Sequence, residues 1–368
     1  MKRNYEVAVI GGGIIGCSIA YFLAKEKIDV AVFEAQEIGG KSTSAAAGML
    51  GAHSEFKEFE SLYPFVRSSQ LLYKELANEI QMCCGIDMER KEGGILKLVF
   101  SEEEKQALQQ VLAHSAVNWL PAAEVLKKVP VTNSIIGAAH LKEDVHITPA
   151  IACNGLSKTA QYYGASIFEY TEVADIKKRG DHYVIHTAKG EFQANYVVVA
   201  SGVWSNRFFQ QLGLTNQVIP VKGECLAVIN EGKPLDHTLF YKQNYMVQRN
   251  NNKLVIGATQ KWNDWDARPT IGGIEEIIQK AKEIMPSITE MKMESYWAGF
   301  RPMTFDGYPF IGAHPEDDNL FFATGHQRNG ILMAPATGKL IKDLIVGNQV
   351  EETWLKAFQV DRRNKISV

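Results

Sequence analysis

The sequence predicts an α/β protein: a doubly wound dinucleotide-binding domain joined to an α+β domain built on a mostly antiparallel sheet. Three observations carry this. The apolar run VAVI at 7–10 passes directly into GGGIIG, and a helical pattern, CSIAYFLAKEK, follows. A second apolar run, DVAVFE, ends on Glu34, 18 residues past Gly16. Later the pattern changes to short alternating segments at 135–141, 218–229 and 237–259, before the glycine-rich GHQRNGILMAPATG at 325–338 leads into another helical stretch.

Taken in order, VAVI reads as a strand buried on both faces. Gly11, Gly13 and Gly16 then form a G-x-G-x-x-G pattern with Ile14 and Ile15 inside it. Such a loop needs a tight turn at its first glycine, close backbone approach to a pyrophosphate at the second, and close helix–strand packing at the third. The helix that follows offers unpaired N–H groups and its positive dipole end to the phosphate. Glu34 at the end of the second strand suits a ribose hydroxyl and would repel the additional phosphate of NADP. This Rossmann-like unit does not by itself decide between FAD and NAD.

Residues 39–53, GGKSTSAAAGMLGAH, have too little bulk for a core strand and read as an extended loop lying against something. Helical periodicity covers 60–81, GGILKLVF at 93–100 reads as a strand, and Ser101 with Glu104 forms a capping-box pattern. A helix is expected from near Pro149, then a meander of strands from ASIFEY to the buried YVVVA, and then the second sheet. The chain thus leaves the nucleotide domain, builds another and returns: residues 1–84, 145–216 and 305–368 are assigned to the first domain, 85–144 and 217–304 to the second. With no repeat and no low-complexity linker, the two should be closely associated.

The 368 residues are 46% hydrophobic, enough to bury a large core. A net charge of -3 from 39 basic and 42 acidic residues mixed along the chain argues against nucleic acid or an anionic membrane as main partner. No apolar run reaches the roughly 18 residues of a membrane span. Lys2 and Arg3 before an apolar stretch, with Cys17 after Gly16, could pass for a lipoprotein leader, but Glu6, the three glycines and the continuing helix oppose that. Five cysteines without C-x-x-C spacing read as free cytosolic thiols, with Cys83 and Cys84 at a helix end and one of them buried.

Three further stretches favour flavin. KSTSAAAGM (41–49) resembles the second pyrophosphate-contacting segment of the D-amino-acid oxidase and sarcosine oxidase superfamily. VVVASGVWS (197–205) is similar to the strand and turn that those enzymes place near the cofactor, and GHQRNGILMAPATG resembles their last flavin contact. With VKGECL and WAGFRPMTFDGYPFIG, the likeness covers essentially the whole chain and is greatest to the bacterial glycine oxidases associated with thiamine biosynthesis. It implies noncovalent FAD, since 299–310 lacks a cysteine like the one that holds flavin in monomeric sarcosine oxidase. The cofactor contacts it implies, beyond the first motif and Glu34, are Ala35, Ser42, Thr43, Ala46, Ala47, Gly48, Met49, Val173, Ala200, Ser201, Gly202, Trp204, and the run His326, Gln327, Arg328, Asn329, Gly330, Ile331 and Leu332.

The implied reaction is oxidative deamination of glycine. Hydride passes from the α-carbon to flavin N5, the imine hydrolyses to glyoxylate and ammonia or supplies thiazole synthesis, and dioxygen reoxidises the flavin with release of hydrogen peroxide. Sarcosine and small D-amino acids are further expected substrates. Such an enzyme needs a clamp for the α-carboxylate and an α C–H held at near-attack distance, and needs no metal. Arg301 is the best clamp, because a guanidinium offers two parallel donors; the bland alternative is a salt bridge to Asp306. The resemblance places Tyr245, Arg328 and Met49 in the substrate cavity. His326 reads as a backbone contact to flavin, and no side chain is assigned as acid or base. Gln243 and Gln260 depart from the histidine and methionine expected there, which bears on substrate range. The likeness also implies a cytoplasmic homotetramer and a link to thiazole synthase. A sarcosine or D-amino acid oxidase, a quinone-reducing dehydrogenase and a non-catalytic FAD-binding redox protein are the alternatives.

Overall fold

The computed structural model describes residues 2–54, 62–215 and 218–362. Its first sheet has five parallel strands at its centre, in the order Asp317–Thr324, Gly190–Val199, β1 (Asn4–Ile10), β2 (Val30–Phe33) and Ser166–Phe168. Phe310–His314 adds an antiparallel edge, and the hairpin Val173–Arg179/His182–Thr187 extends Gly190–Val199. Runs of β-branched residues form these strands because both faces are covered. Val7, Val9, Val30, Val32 and Val198 pack against helices α1 (Ile14–Lys25), Tyr63–Cys84, Pro149–Tyr162 and Gly330–Ile345. The alternate residues Ala8, Ile10, Phe33, Val197 and Val199 pack against the hairpin and Phe208 and Phe209.

The second sheet has nine strands, antiparallel except where Thr238–Tyr241 meets Ile95–Val99. Its long members are Ile219–Ile229 and Lys292–Met303, paired along almost their whole length. One face carries helix Ile271–Ile284; the other, with Ile95, Cys225, Phe240, Tyr245 and Val255, turns towards Ala47. Residues 220–228 are buried on both faces, so the alternation expected at 218–229 is not an alternation of burial.

Residues 39–53 are more ordered than a loop. Ser42–Ala45 forms a helical turn, and Met49–Leu50 pairs with Val145–His146. Small side chains permit this, because the segment is held by hydrogen bonds to its neighbours. The Ser42 hydroxyl donates to the Phe300 carbonyl (2.6 Å), the Trp297 indole donates to the Ala45 carbonyl (3.1 Å), and the partly buried Arg249 donates to the Ala47 and Ile147 carbonyls. The expected capping box is half realised. Ser101 accepts from the Glu104 amide, while the Glu104 carboxylate reaches Phe100 and not Ser101. Cys83 and Cys84 do end their helix, but neither is buried; the last turn projects, and their thiols meet Tyr163 and Thr159. No helix among the described residues is long and apolar enough to cross a membrane.

Candidate active site

The carboxyl ends of β1 and Gly190–Val199 open onto a cavity of about 460 Å³ that extends to the second sheet. Ligands in open parallel sheets bind at this kind of crevice. Gly11 turns the chain with φ +110°, and a Cβ there would lie 2.6 Å from the Ala200 carbonyl oxygen. A Cβ on Gly16 would lie 1.9 Å from the Gly11 carbonyl oxygen, so that glycine lets α1 sit directly under the loop. Gly13 has only the Thr43 hydroxyl near its open side, at 3.5 Å, and leaves the backbone accessible to a ligand. Thr43 also accepts from the Ile14 amide (3.1 Å), so the segment 41–49 caps the helix N-terminus. The Glu34 carboxylate lines the cavity and accepts from the Gly12 amide (2.7 Å) and the Gln36 amide (2.9 Å). It therefore shapes the glycine loop as well as facing the ligand space.

An FAD fits these residues: a loop without side chains at a helix N-terminus for the pyrophosphate, a carboxylate at the end of β2 for the ribose, and a second helix N-terminus, that of Gly330–Ile345, farther along the cavity. Of the residues expected to contact cofactor or substrate, all but two line this one cavity. Leu332 does not. One position beyond Ile331 on a helix, its side chain turns about 100° away, into the core, where it is 1% exposed. Gly16 does not either, being buried between α1 and the turn. The sequence reading missed Gly39, Gly40 and Lys41, Glu172 and Arg207, and Gly223, Cys225 and Phe240, which also line it. The pair Gly39-Gly40 was a signal that could have been used; the others come together only through the tertiary fold.

At the sheet end the site is built on two facing glycines, Gly223 and Gly299. The Arg301 guanidinium lies across Gly223, where a Cβ would come within 2.5 Å of Nη2. Arg301 donates to the Thr259 carbonyl (3.2 Å) and forms no ion pair among the described residues. Asp306 is taken instead by Arg362 (2.8 Å), which removes the salt-bridge alternative for Arg301. Tyr245 is buried, with its hydroxyl 3.2 Å from the Cys225 sulfur. Burial pushes the Tyr245 phenol well above its ordinary pKa, so it stays protonated and able to donate. Met49 and Arg328 line the same cavity, and Gln243 and Gln260 are exposed at it. His326 is 3% exposed and hydrogen-bonds Thr337 (3.0 Å); burial brings its pKa down to about 3, so the ring is neutral.

Comparison with known proteins agrees with this geometry. The FAD dependent oxidoreductase family model matches residues 6–344. The glycine oxidase of Bacillus subtilis (strain 168) is 49% identical over 369 residues, spanning all of both chains. The crystal structure of glycine oxidase from Geobacillus kaustophilus superposes with a TM-score of 0.94 at 37% identity, covering 99% of this chain and 100% of that one. A bifunctional protein ThiO/ThiG of Synechocystis is 32% identical over 98% of this chain and 54% of its own length. A nucleotide crevice built on the glycine loop and a whole-length match lead to one conclusion: the chain belongs to the FAD-dependent oxidoreductase family.

Proposed function

We propose that the protein is an FAD-dependent amino acid oxidase that deaminates glycine to glyoxylate and ammonia with release of hydrogen peroxide. The observation that carries the reading is Arg301, a partly buried guanidinium with no carboxylate partner among the described residues, laid over a glycine floor in the cofactor cavity. A substrate α-carboxylate is the complement of that group. Tyr245 and Arg328 complete the carboxylate site, while Met49, Ala47 and Phe240 bound the space for the α-carbon. FAD, when bound, would supply the two-electron acceptor for the α-carbon hydride, with dioxygen as the final oxidant. The protein need not supply a base, since the amine can lose its proton to solvent, and His326, its pKa brought down to about 3 and its ring bonded to Thr337, is too weak a base for the task.

Residues 1–84, 145–216 and 305–368 hold the cofactor in this reading, and 85–144 with 217–304 hold the substrate. Sarcosine and small D-amino acids present the same carboxylate and belong to the same proposal. The full-length glycine oxidase relatives support the substrate, and the ThiO/ThiG relative supports supply of glycine imine to thiazole synthase and the thiazole of thiamine. The enzyme acts in the cytoplasm as a homotetramer; light scattering of the purified protein should give four times the chain mass, and a monomer mass would remove that part of the proposal. The decisive test is the absorption spectrum recorded anaerobically before and after adding glycine. A flavin spectrum should bleach and then return with peroxide when air is admitted. A spectrum left oxidised by glycine, sarcosine and D-alanine alike would end the amino acid oxidase reading.

A further inference from the structure

Glu224 stands next to Gly223 on Ile219–Ile229, so its side chain leaves the opposite face of the sheet and cannot reach the cavity. It is fully buried. A carboxylate in that position is costly unless its oxygens are satisfied, and Glu224 is surrounded by donors. Its Oε1 accepts from the Thr270 amide (2.9 Å), the Thr270 hydroxyl (3.2 Å) and Lys261 (3.2 Å). The buried Lys222 is 3.5 Å away and is itself tied to Asp264 (3.2 Å) and the Arg268 carbonyl (2.8 Å). Thr270 caps helix Ile271–Ile284, whose first turn rests on the carboxylate. Burial pushes the Glu224 carboxyl up, but the Thr270 amide and Lys261 outweigh it and hold the group below the usual carboxylate range.

The same residue grips Thr259 on both chain and side chain. The Thr259 hydroxyl accepts from the Glu224 amide (2.9 Å) and donates to Oε2 (3.3 Å), and the Thr259 amide donates to the Glu224 carbonyl (3.3 Å). The Thr259 carbonyl then receives Arg301 Nη1. Between Thr259 and Thr270 the chain carries Gln260 along the cavity and Trp265, whose ring lies 6.0 Å from Phe300 and 6.5 Å from Trp204. Glu224 therefore fastens both ends of this segment, and one end holds the guanidinium.

We infer that Glu224 is a positioning residue that, through Thr259, sets the Arg301 guanidinium for the substrate carboxylate from the far side of the sheet. This rests on Arg301 binding that carboxylate. The test uses the flavin-loaded enzyme with Glu224→Gln, Thr259→Val and Thr259→Ser. Thr259→Val keeps every charge and the side-chain shape, so it remains informative should the first variant fail to fold. In Thr259→Val the KM for glycine and the dissociation constant for glycolate, read from the flavin spectrum, should both rise about tenfold, the value of one hydrogen bond to a charged group. Turnover and flavin retention should stay within about twofold, and Thr259→Ser should restore the KM. A merely structural role would lower flavin retention and melting temperature in Thr259→Val with KM and glycolate binding unchanged, and that result overturns the inference. If Arg301→Lys raises the KM and Thr259→Val does not, only the positioning role falls; if Arg301→Lys also leaves it unchanged, the carboxylate assignment falls with it.

Discussion

Arg301→Lys is expected to raise the KM for glycine about 100-fold while the purified enzyme stays yellow, the loss being that of a paired, charge-assisted contact worth about 2–3 kcal/mol. Lysine keeps the charge but offers a single point donor in place of the planar fork. It also cannot both lie across Gly223 and reach the Thr259 carbonyl as the guanidinium does. Steady-state kinetics with glycine, together with the flavin-to-protein absorbance ratio, checks both halves of the expectation. An unchanged KM would remove Arg301 from the substrate site.

The second large effect is expected at the other end of the cavity. In Gly16→Ala the new methyl group would stand 1.9 Å from the Gly11 carbonyl oxygen and 3.3 Å from a Val9 methyl, so the overlap is with backbone that cannot rotate away. Either α1 lifts from the sheet or the glycine loop shifts, at a cost of about 3 kcal/mol. The protein should therefore lose most of its bound flavin and melt well below the parent. Thermal unfolding followed by flavin fluorescence separates the outcomes, and a variant that keeps parental melting and flavin content would show that the contact relaxes freely. Gly16 thus matters to the cofactor by holding the loop, without touching it.

Much of this site could be read from the chain alone, wherever the chemistry is local. VAVI-GGGIIG and the acidic end of β2 occur within thirty residues, and the structure assembles them as expected. Leu332 shows the limit of reading a motif as a continuous string: helical geometry sends neighbours to different sides, and only Ile331 reaches the cavity. The stretch 39–53 reads from sequence as an extended loop, and its helical turn and strand pairing stay hidden, because its order depends on Phe300, Trp297 and Arg249, all about two hundred residues or more away. Glu224 carried no signal for the same reason. In VKGECL it reads as one charged residue in a strand, and only the pairing with Lys261, Thr259 and Thr270 makes it a buried centre.

The three hydrogen bonds from Ser42, Trp297 and Arg249 have a thermodynamic consequence. They join the segment capping α1 to the strands carrying Arg301 and Tyr245, so the residues proposed to receive the cofactor and those proposed to receive the substrate share one set of supports. Two ligands that draw on common supports stabilise each other's sites, and the coupling is reciprocal: by whatever factor cofactor tightens the hold on a carboxylate, a carboxylate tightens the hold on cofactor. Carboxylates too inert to be oxidised should thus act as preservatives of the flavin-loaded form, slowing its leakage during storage or dilution.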